Sequence, residues 1–150
     1  MKSAALIPAR FDSKRFPGKM LAMIGEMPLI VLTWKNISQM DIFDDVIVVT
    51  DNEAIFLEVE AAGGKALMSE KEHRSGTDRI AEAAEKLDHE LFVNVQGDEP
   101  FISKSALESI KSAFSDESVQ IASLMRKIDK KEDVENPNIV KVVTDDDNFS

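Results

Sequence analysis

Residues 45–50 read DVIVVT, a short and continuously apolar stretch that decides the class of fold. A half-exposed strand alternates polar and apolar residues, whereas a strand of a parallel sheet that is covered by helices on both faces does not. This stretch therefore predicts a buried parallel strand. Residues 3–9 (SAALIPA), 65–68 (KALM) and 91–96 (LFVNVQ) predict three further strands of the same sheet.

Helical patterns separate and follow these strands. Apolar residues recur there every three or four positions, as on the buried face of an amphipathic helix. The predicted helices span residues 29–40, 53–62, 76–88 and 104–114. Strands that alternate with helices predict a doubly wound α/β fold of the Rossmann-like type, with a mostly parallel sheet and helices on both faces.

The binding site is expected at one edge of this sheet, because ligands of such folds lie beyond the carboxyl ends of the strands. In this chain those ends are the loops that follow Ala9, Thr50, Met68 and Gln96. Asp51 comes directly after the second of these strands, and we interpret it as the cap of the next helix.

Two further strands are predicted near the end of the sequence. Residues 119–125 and 139–144 are rich in apolar and β-branched residues, as strands usually are. A strand needs a neighbour and a return connection, and none is evident before Ser150. We therefore interpret residues 1–150 as one α/β domain of a chain that continues.

Composition narrows the classes of function. The net charge of −10 makes nonspecific nucleic-acid binding a poor fit. The sequence has no apolar run long enough to cross a bilayer, so no membrane-spanning segment is expected. It also has no cysteine, which excludes disulfides, thiolate metal sites and cysteine nucleophiles, and which favours the cytoplasm.

A cationic segment follows the first predicted strand. Residues 1–20 contain five basic residues and one acidic residue, whereas the rest of the chain has 13 basic and 27 acidic residues. Four of the five basic residues fall within the segment PARFDSKRFPGK: Arg10, Lys14, Arg15 and Lys19. Several cations on one loop can surround a triphosphate, and arginine can grip two phosphate oxygens at once. An ordinary solvated loop remains the alternative interpretation.

The loop after the predicted strand 91–96 has the sequence QGDEP. Magnesium in phosphoryl-transfer sites is usually held by one or two carboxylates together with phosphates of the substrate. Asp98 suits that role, because it follows a buried strand and Gly97 leaves room beside it. A simple turn in which Asp98 caps backbone amides would explain the same residues.

A third polar segment, HRSGTDR at residues 73–79, opens the predicted helix 76–88. The free N–H groups of a helix N-terminus and the hydroxyls of Ser75 and Thr77 could bind a base or a ribose. Ser75 could equally cap the helix without any ligand.

Together these segments resemble the 3-deoxy-manno-octulosonate (Kdo) cytidylyltransferase family, also called the CMP-Kdo synthetases, along all 150 residues. The segment IPARFDSKRFPGK at residues 7–19 resembles the family's nucleotide-binding signature, which sialic acid cytidylyltransferases share. The segments HRSGTDR and NVQGDEP (residues 94–100) resemble the Kdo branch more specifically.

The resemblance implies an enzyme of lipopolysaccharide biosynthesis that transfers CMP from CTP to the anomeric hydroxyl of Kdo and releases pyrophosphate. It implies Mg²⁺ as the cofactor, CTP and Kdo as the substrates, and a homodimer in the cytoplasm. It also implies that residues 1–150 are the nucleotide-binding part, which a C-terminal part for sugar binding and dimerisation follows in the family.

The roles of individual residues follow from the same resemblance. Arg10 and Lys19 would be catalytic residues that bind the triphosphate, and Asp98 would be the catalytic ligand of Mg²⁺. The other substrate-binding residues that it implies are Pro8, Ala9, Arg15, Arg74, Ser75, Gly76, Thr77, Arg79, Gln96 and Gly97.

Two other functions remain open from the sequence. A cytidylyltransferase for another acidic sugar, such as a sialic acid or an amino-modified Kdo, would need the same CTP-binding residues. A non-catalytic nucleotide-binding module would bind CTP without turnover. A Rossmann dehydrogenase does not fit, because no G-x-G-x-x-G follows the first strand.

Overall fold

The structure is a computed structural model of the chain, and it describes residues 1–12, 16–71, 73 and 75–145. The chain divides into two compact units, Met1–Lys104 and Ser105–Ser150. The strands in chain order are β1 (Ser3–Ala9), β2 (Met23–Ile24), β3 (Met27–Pro28), β4 (Asp45–Thr50), β5 (Lys65–Met68) and β6 (Leu91–Asn94). The α-helices are α1 (Leu29–Ser38), α2 (Glu53–Ala61), α3 (Gly76–Ala84), α4 (Lys104–Ala113) and α5 (Lys131–Glu135).

The first unit is built on a four-stranded parallel sheet in the order β5-β4-β1-β6. Strand β1 has a neighbour on each side, so Ala4 lies opposite both Asp45 of β4 and Phe92 of β6. All seven residues of β1 are buried. The predicted parallel sheet and its four strands are confirmed, and β2 and β3 form a separate short hairpin.

Helices cover this sheet, as the apolar pattern predicts. The sheet residues Ala4, Leu6, Ile47 and Val49 pack in one cluster with Ile80 and Ala83 of α3. Side chains alternate between the faces of a sheet, so Ala5, Ile7 and Val48 point the other way. Helices α1 and α2 pack against β4 and against each other there. The doubly wound α/β arrangement is therefore confirmed.

The start of α2 corrects one prediction. Asn52, not Asp51, caps this helix, because its side chain accepts hydrogen bonds from the N–H groups of Ala54 (3.0 Å) and Ile55 (3.2 Å). Either residue is a good cap by type. The carboxylate of Asp51 is engaged by the distant Arg79 instead, and that tertiary contact decides between the two neighbours.

The end of α2 and the start of α3 agree with the sequence. Helix α2 ends before Gly63, whose φ of +82° lies in the left-handed region that favours glycine. A Cβ on Gly64 would lie 2.7 Å from Val59 and 2.9 Å from Trp34, so the next strand can begin there only with glycine. Ser75 caps α3 by accepting the N–H of Asp78 at 3.1 Å.

The second unit, of which residues 105–145 are described, contains most of α4 and all of α5. The strands predicted over 119–125 and 139–144 are wrong: neither range pairs with any described strand. Ile121 and Val140 are 90% and 97% exposed there. A strand is defined by hydrogen bonds to a neighbour, which apolar composition alone does not supply.

Some boundaries are also shorter than predicted. Helix α3 ends at Ala84 rather than at residue 88, since the N–H groups of Lys86 and Leu87 bond carbonyls three residues back in a tighter turn. Strand β6 ends at Asn94 rather than at Gln96. Among the described residues, no helix has both the length and the hydropathy that a membrane span requires.

Candidate active site

A cleft of about 580 Å³ opens at the carboxyl ends of β1 and β6. The residues selected from the sequence that line it are Pro8, Arg10, Lys19, Gly76, Gln96, Gly97 and Asp98. The cleft thus brings together parts of all three polar segments. Asp12, Phe16 and Met20 line it as well. These three residues were not predicted from the sequence, although Asp12 and Phe16 lie within the cationic segment and Met20 directly follows it.

Lys19 and Asp98 meet in this cleft. The Nζ of Lys19 lies 2.7 Å from the Oδ2 of Asp98, across 79 positions of sequence. Their side chains remain 37% and 43% exposed, and ion pairs at such exposure usually contribute below about 1 kcal/mol to stability. Stability is therefore a weak explanation for placing these two charges together, and both remain accessible to a ligand.

The backbone around Gly18 positions Lys19. Gly18 has a φ of +71°, in the left-handed region, and its N–H donates to the carbonyl of Phe11 at 2.9 Å. This bond ties Gly18 to Phe11, two residues after the end of β1. The chain then enters a short 3₁₀ helix, Lys19–Leu21, in which the N–H of Leu21 donates to the carbonyl of Gly18. The cation is thus held at the start of regular structure.

Gly97 allows the Asp98 loop to approach β1. A Cβ at this position would lie 3.0 Å from the Sδ of Met20 and 3.1 Å from the carbonyl oxygen of Pro8. Backbone cannot yield as a flexible side chain can, so glycine is required here. The N–H of Glu99 donates to the carbonyl of Gln96 at 3.0 Å and completes the turn.

The N-terminus of α3 forms another wall of the cleft. Gly76 lines it, and a Cβ there would lie 3.1 Å from the ring of Pro8. Ser75 and Thr77 flank Gly76 and are exposed. Because Ser75 is the cap of the helix, its hydroxyl oxygen already accepts one hydrogen bond. The hydroxyl proton is not used in that bond and can still be donated to a ligand.

Arg79 is 1% exposed and faces protein groups. Its Nη2 lies 2.5 Å from the Oδ2 of Asp51, and its Nη1 donates to the hydroxyl of Ser69 at 2.6 Å. Asp51 follows β4 and Ser69 follows β5, so Arg79 ties the first turn of α3 to the ends of two strands. The substrate contact implied for Arg79 stays a prediction.

The resemblance also implies substrate contacts for Ala9, Arg15 and Arg74. Ala9 is fully buried at the end of β1, directly before Arg10. Arg15 and Arg74, and with them Lys14 of the cationic segment, lie outside the described residues.

A second network joins Glu70 and His73, which precede α3, to Glu82 within that helix. The ring of His73 lies 2.5 Å from the carboxylate of Glu82, which also accepts the backbone N–H of Glu70 at 2.7 Å. Lys86 donates to the same carboxylate at 3.2 Å. The hydrogen bond from Glu70, followed by that from His73, lowers the pKa of Glu82 from an ordinary 4.5 to about 2. Ionised Glu82 therefore holds Glu70 and His73, which precede Ser75 in the chain.

Replacing Glu82 with glutamine is expected to make stability less sensitive to acid. A carboxyl whose pKa is lowered in the folded state contributes stability that is fully present above its unfolded pKa of 4.5 and is lost as the pH falls toward about 2. Glu82→Gln lacks this contribution, so its free energy of unfolding should be lower at pH 7. It should also fall less as the pH is lowered from roughly 5 to about 2, the range that includes both pKa values.

Urea unfolding at several pH values tests this expectation. Glu85→Gln removes an exposed carboxylate just past the end of the same helix and is the matched control. If Glu82→Gln and the wild-type chain lose stability equally on acidification, the network does not act as described.

The parallel sheet, its strand order and the cleft at its carboxyl edge define the nucleotide-diphospho-sugar transferase class of folds. A solved structure of CMP:2-keto-3-deoxy-manno-octonic acid synthetase complexed with CTP superposes with a TM-score of 0.75 at 36% identity, over 79% of this chain and 49% of that one. A cytidylyltransferase from Leptospira borgpetersenii, 24% identical with a TM-score of 0.66 over 77% of this chain and 49% of its own, shares the fold.

The chain belongs to the cytidylyltransferase family, whose model matches residues 4–149. It is 48% identical over its whole length to a Flavobacterium johnsoniae protein named 3-deoxy-manno-octulosonate cytidylyltransferase, and it covers 63% of that protein. Proteins of the same name from Christiangramia forsetii and Thermodesulfovibrio yellowstonii are 42% and 40% identical over 97% and 100% of this chain, which covers 60% and 62% of them. The chain thus spans about three fifths of the length of these relatives.

Proposed function

We propose that this chain is the nucleotide-binding part of an enzyme that transfers CMP from CTP to Kdo. The observation that carries the proposal is the meeting of Lys19 and Asp98 in a cleft that Arg10 also lines. Cations suited to a triphosphate and a carboxylate suited to a metal ion thereby share one site. The names of the relatives that are 40–48% identical support Kdo as the acceptor.

The residues of the cleft fit a magnesium ion that is shared with the substrate. Among the described residues, no group of three or more acidic or histidine side chains could hold a metal ion by itself. Magnesium in nucleotide sites needs only one or two carboxylates, because phosphate oxygens and water complete its shell. Asp98 can supply one such carboxylate. An ion bound there would neutralise charge at the α-phosphate and lower the pKa of the attacking hydroxyl.

The reaction is a substitution at the α-phosphorus of CTP. The anomeric oxygen of Kdo forms a bond to this phosphorus, the bond to the bridging oxygen of the β-phosphate breaks, and the hydroxyl proton passes to solvent. The products are CMP-Kdo and pyrophosphate. Such a transfer depends mainly on alignment and on charge neutralisation. Arg10 and Lys19 supply positive charge to the phosphates and to the leaving pyrophosphate.

The wall formed by α3 orients the nucleoside in this proposal. Its first N–H groups and the hydroxyls of Ser75 and Thr77 hydrogen-bond the base and the ribose, while Gly76 allows them to come close. Gln96 and Gly97 line the same cleft and directly precede Asp98 in the chain. The enzyme acts as a homodimer in the cytoplasm, in line with the family resemblance.

A product assay tests the function. The full-length protein encoded by the gene is incubated with CTP, magnesium and one sugar at a time: Kdo, a sialic acid or an amino-modified Kdo. We expect CMP-Kdo by mass spectrometry, with one pyrophosphate released for each product molecule. A product with one of the other sugars alone would assign a different acceptor. Binding of CTP without turnover of any sugar would indicate a non-catalytic module.

A further inference from the structure

Helix α1 forms hydrogen bonds to the loop that carries Asp98, one before Asp98 and one after it. The Oγ1 of Thr33 lies 2.8 Å from the carbonyl oxygen of Gly97, the residue before Asp98. The Nδ2 of Asn36 donates to the carbonyl of Pro100 at 2.8 Å. Thr33 and Asn36 are three positions apart and therefore share one face of the helix. Asp98 lies between the two anchored carbonyls.

The contact of Thr33 with Gly97 is more than an ordinary feature of a helical threonine. Threonine hydroxyls often bond the carbonyl four residues back in a helix, and Thr33 lies 3.0 Å from the carbonyl of Leu29 in this way. A hydroxyl has only one proton to donate, and the carbonyl of Gly97 is the nearer acceptor. Thr33 is fully buried, so water does not compete for that proton.

The side chain of Asp98 is not held in place by burial, since it is 43% exposed. Its position depends on the backbone of the loop, and α1 fixes the carbonyl of the residue before it, Gly97, and that of Pro100 two residues after it. We infer that Thr33 and Asn36 are positioning residues that set where Asp98 stands relative to Lys19. The inference rests on the proposed function, in which Asp98 takes part in the transfer. Small displacements of a catalytic group can cost large factors in rate.

Thr33→Val tests this inference, because valine has nearly the shape of threonine but lacks the hydroxyl that donates to Gly97. Thr33→Ser keeps the hydroxyl and is the matched control. In the full-length protein, Thr33→Val should lower kcat about tenfold with a smaller change in the KM for CTP. It should also raise the magnesium concentration that gives half of the maximal rate. In Thr33→Ser, both kcat and this magnesium concentration should stay near the wild-type values.

A second readout does not depend on turnover. Binding of Mn²⁺ in the presence of CTP, followed by electron paramagnetic resonance, should be weaker in Thr33→Val than in Thr33→Ser. If both variants bind Mn²⁺ and turn over alike, while Thr33→Val only melts at a lower temperature, Thr33 is merely structural and the inference is overturned. Asn36→Leu removes the other anchor at a half-buried position, and it provides the same comparison should Thr33→Val fail to fold.

The wild-type protein in the same assay distinguishes a failure of the positioning role from a failure of the proposed function. If the wild type forms CMP-Kdo and the variants at positions 33 and 36 keep the wild-type kcat and metal dependence, only the positioning role fails. If the wild type forms no nucleotide sugar at all, the proposed function fails and the inference fails with it.

Discussion

Replacing Asp98 with asparagine is expected to lower kcat of the full-length protein by about 10²–10³-fold and to leave the fold intact. Asparagine keeps the shape of the side chain and removes its charge, which is what a metal ion and the cation of Lys19 require. The side chain is 43% exposed, so the substitution opens no cavity in the core. The loss should therefore appear in catalysis and not in the free energy of unfolding.

The measurement is the initial rate of CMP-Kdo formation over a range of magnesium concentrations, together with thermal unfolding. Glu99→Gln is the matched control, because it removes a carboxylate from the next position of the same loop, is exposed, and lies outside the lining of the cleft. Asp98→Asn with most of the wild-type activity at ordinary magnesium concentrations would remove Asp98 from the mechanism.

Replacing Lys19 with alanine should weaken the binding of CTP by about 10- to 100-fold, the usual range for a lost hydrogen bond to a charged group. Binding of cytidine, which has no phosphate, should change little. The reason is that Lys19 stands where the cationic segment meets Asp98, so its ammonium group is available to phosphates that share a metal ion with that carboxylate.

Calorimetric titration of both ligands separates a phosphate contact from a general disturbance of the cleft. Lys35→Ala removes an exposed cation from the surface of α1 and serves as the control. Equal weakening of CTP and cytidine by Lys19→Ala would show that the lysine supports the shape of the cleft and does not bind phosphate.

The meeting of Lys19 and Asp98 could be predicted because it follows from a rule of topology. Both residues lie in the connections that follow the carboxyl ends of strands, and such connections share one edge of a parallel sheet. The strand order places β1 directly beside β6, which brings the two loops together. The buried strands themselves were predictable because continuous apolar runs are an unusual and specific pattern.

The features that were wrongly predicted or missed depend on contacts between residues that are distant in the sequence. Asp51 and Asn52 are equally good caps by residue type, and the pairing of Asp51 with Arg79 selects between them. The anchoring of the Asp98 loop by Thr33 spans 64 positions. A threonine on a helix gives no local indication of such a contact, so this part of the site emerges only from the folded chain.

The place of β1 in the sheet also has a consequence for how the protein is made. This strand leaves the ribosome before both of its partners, because β4 begins only at Asp45 and β6 only at Leu91. At ordinary rates of translation, on the order of ten seconds pass before β6 can reach it. During that interval the apolar residues of β1 have no completed sheet to enter. The nascent chain is therefore expected to be a substrate for chaperones that shield early apolar segments.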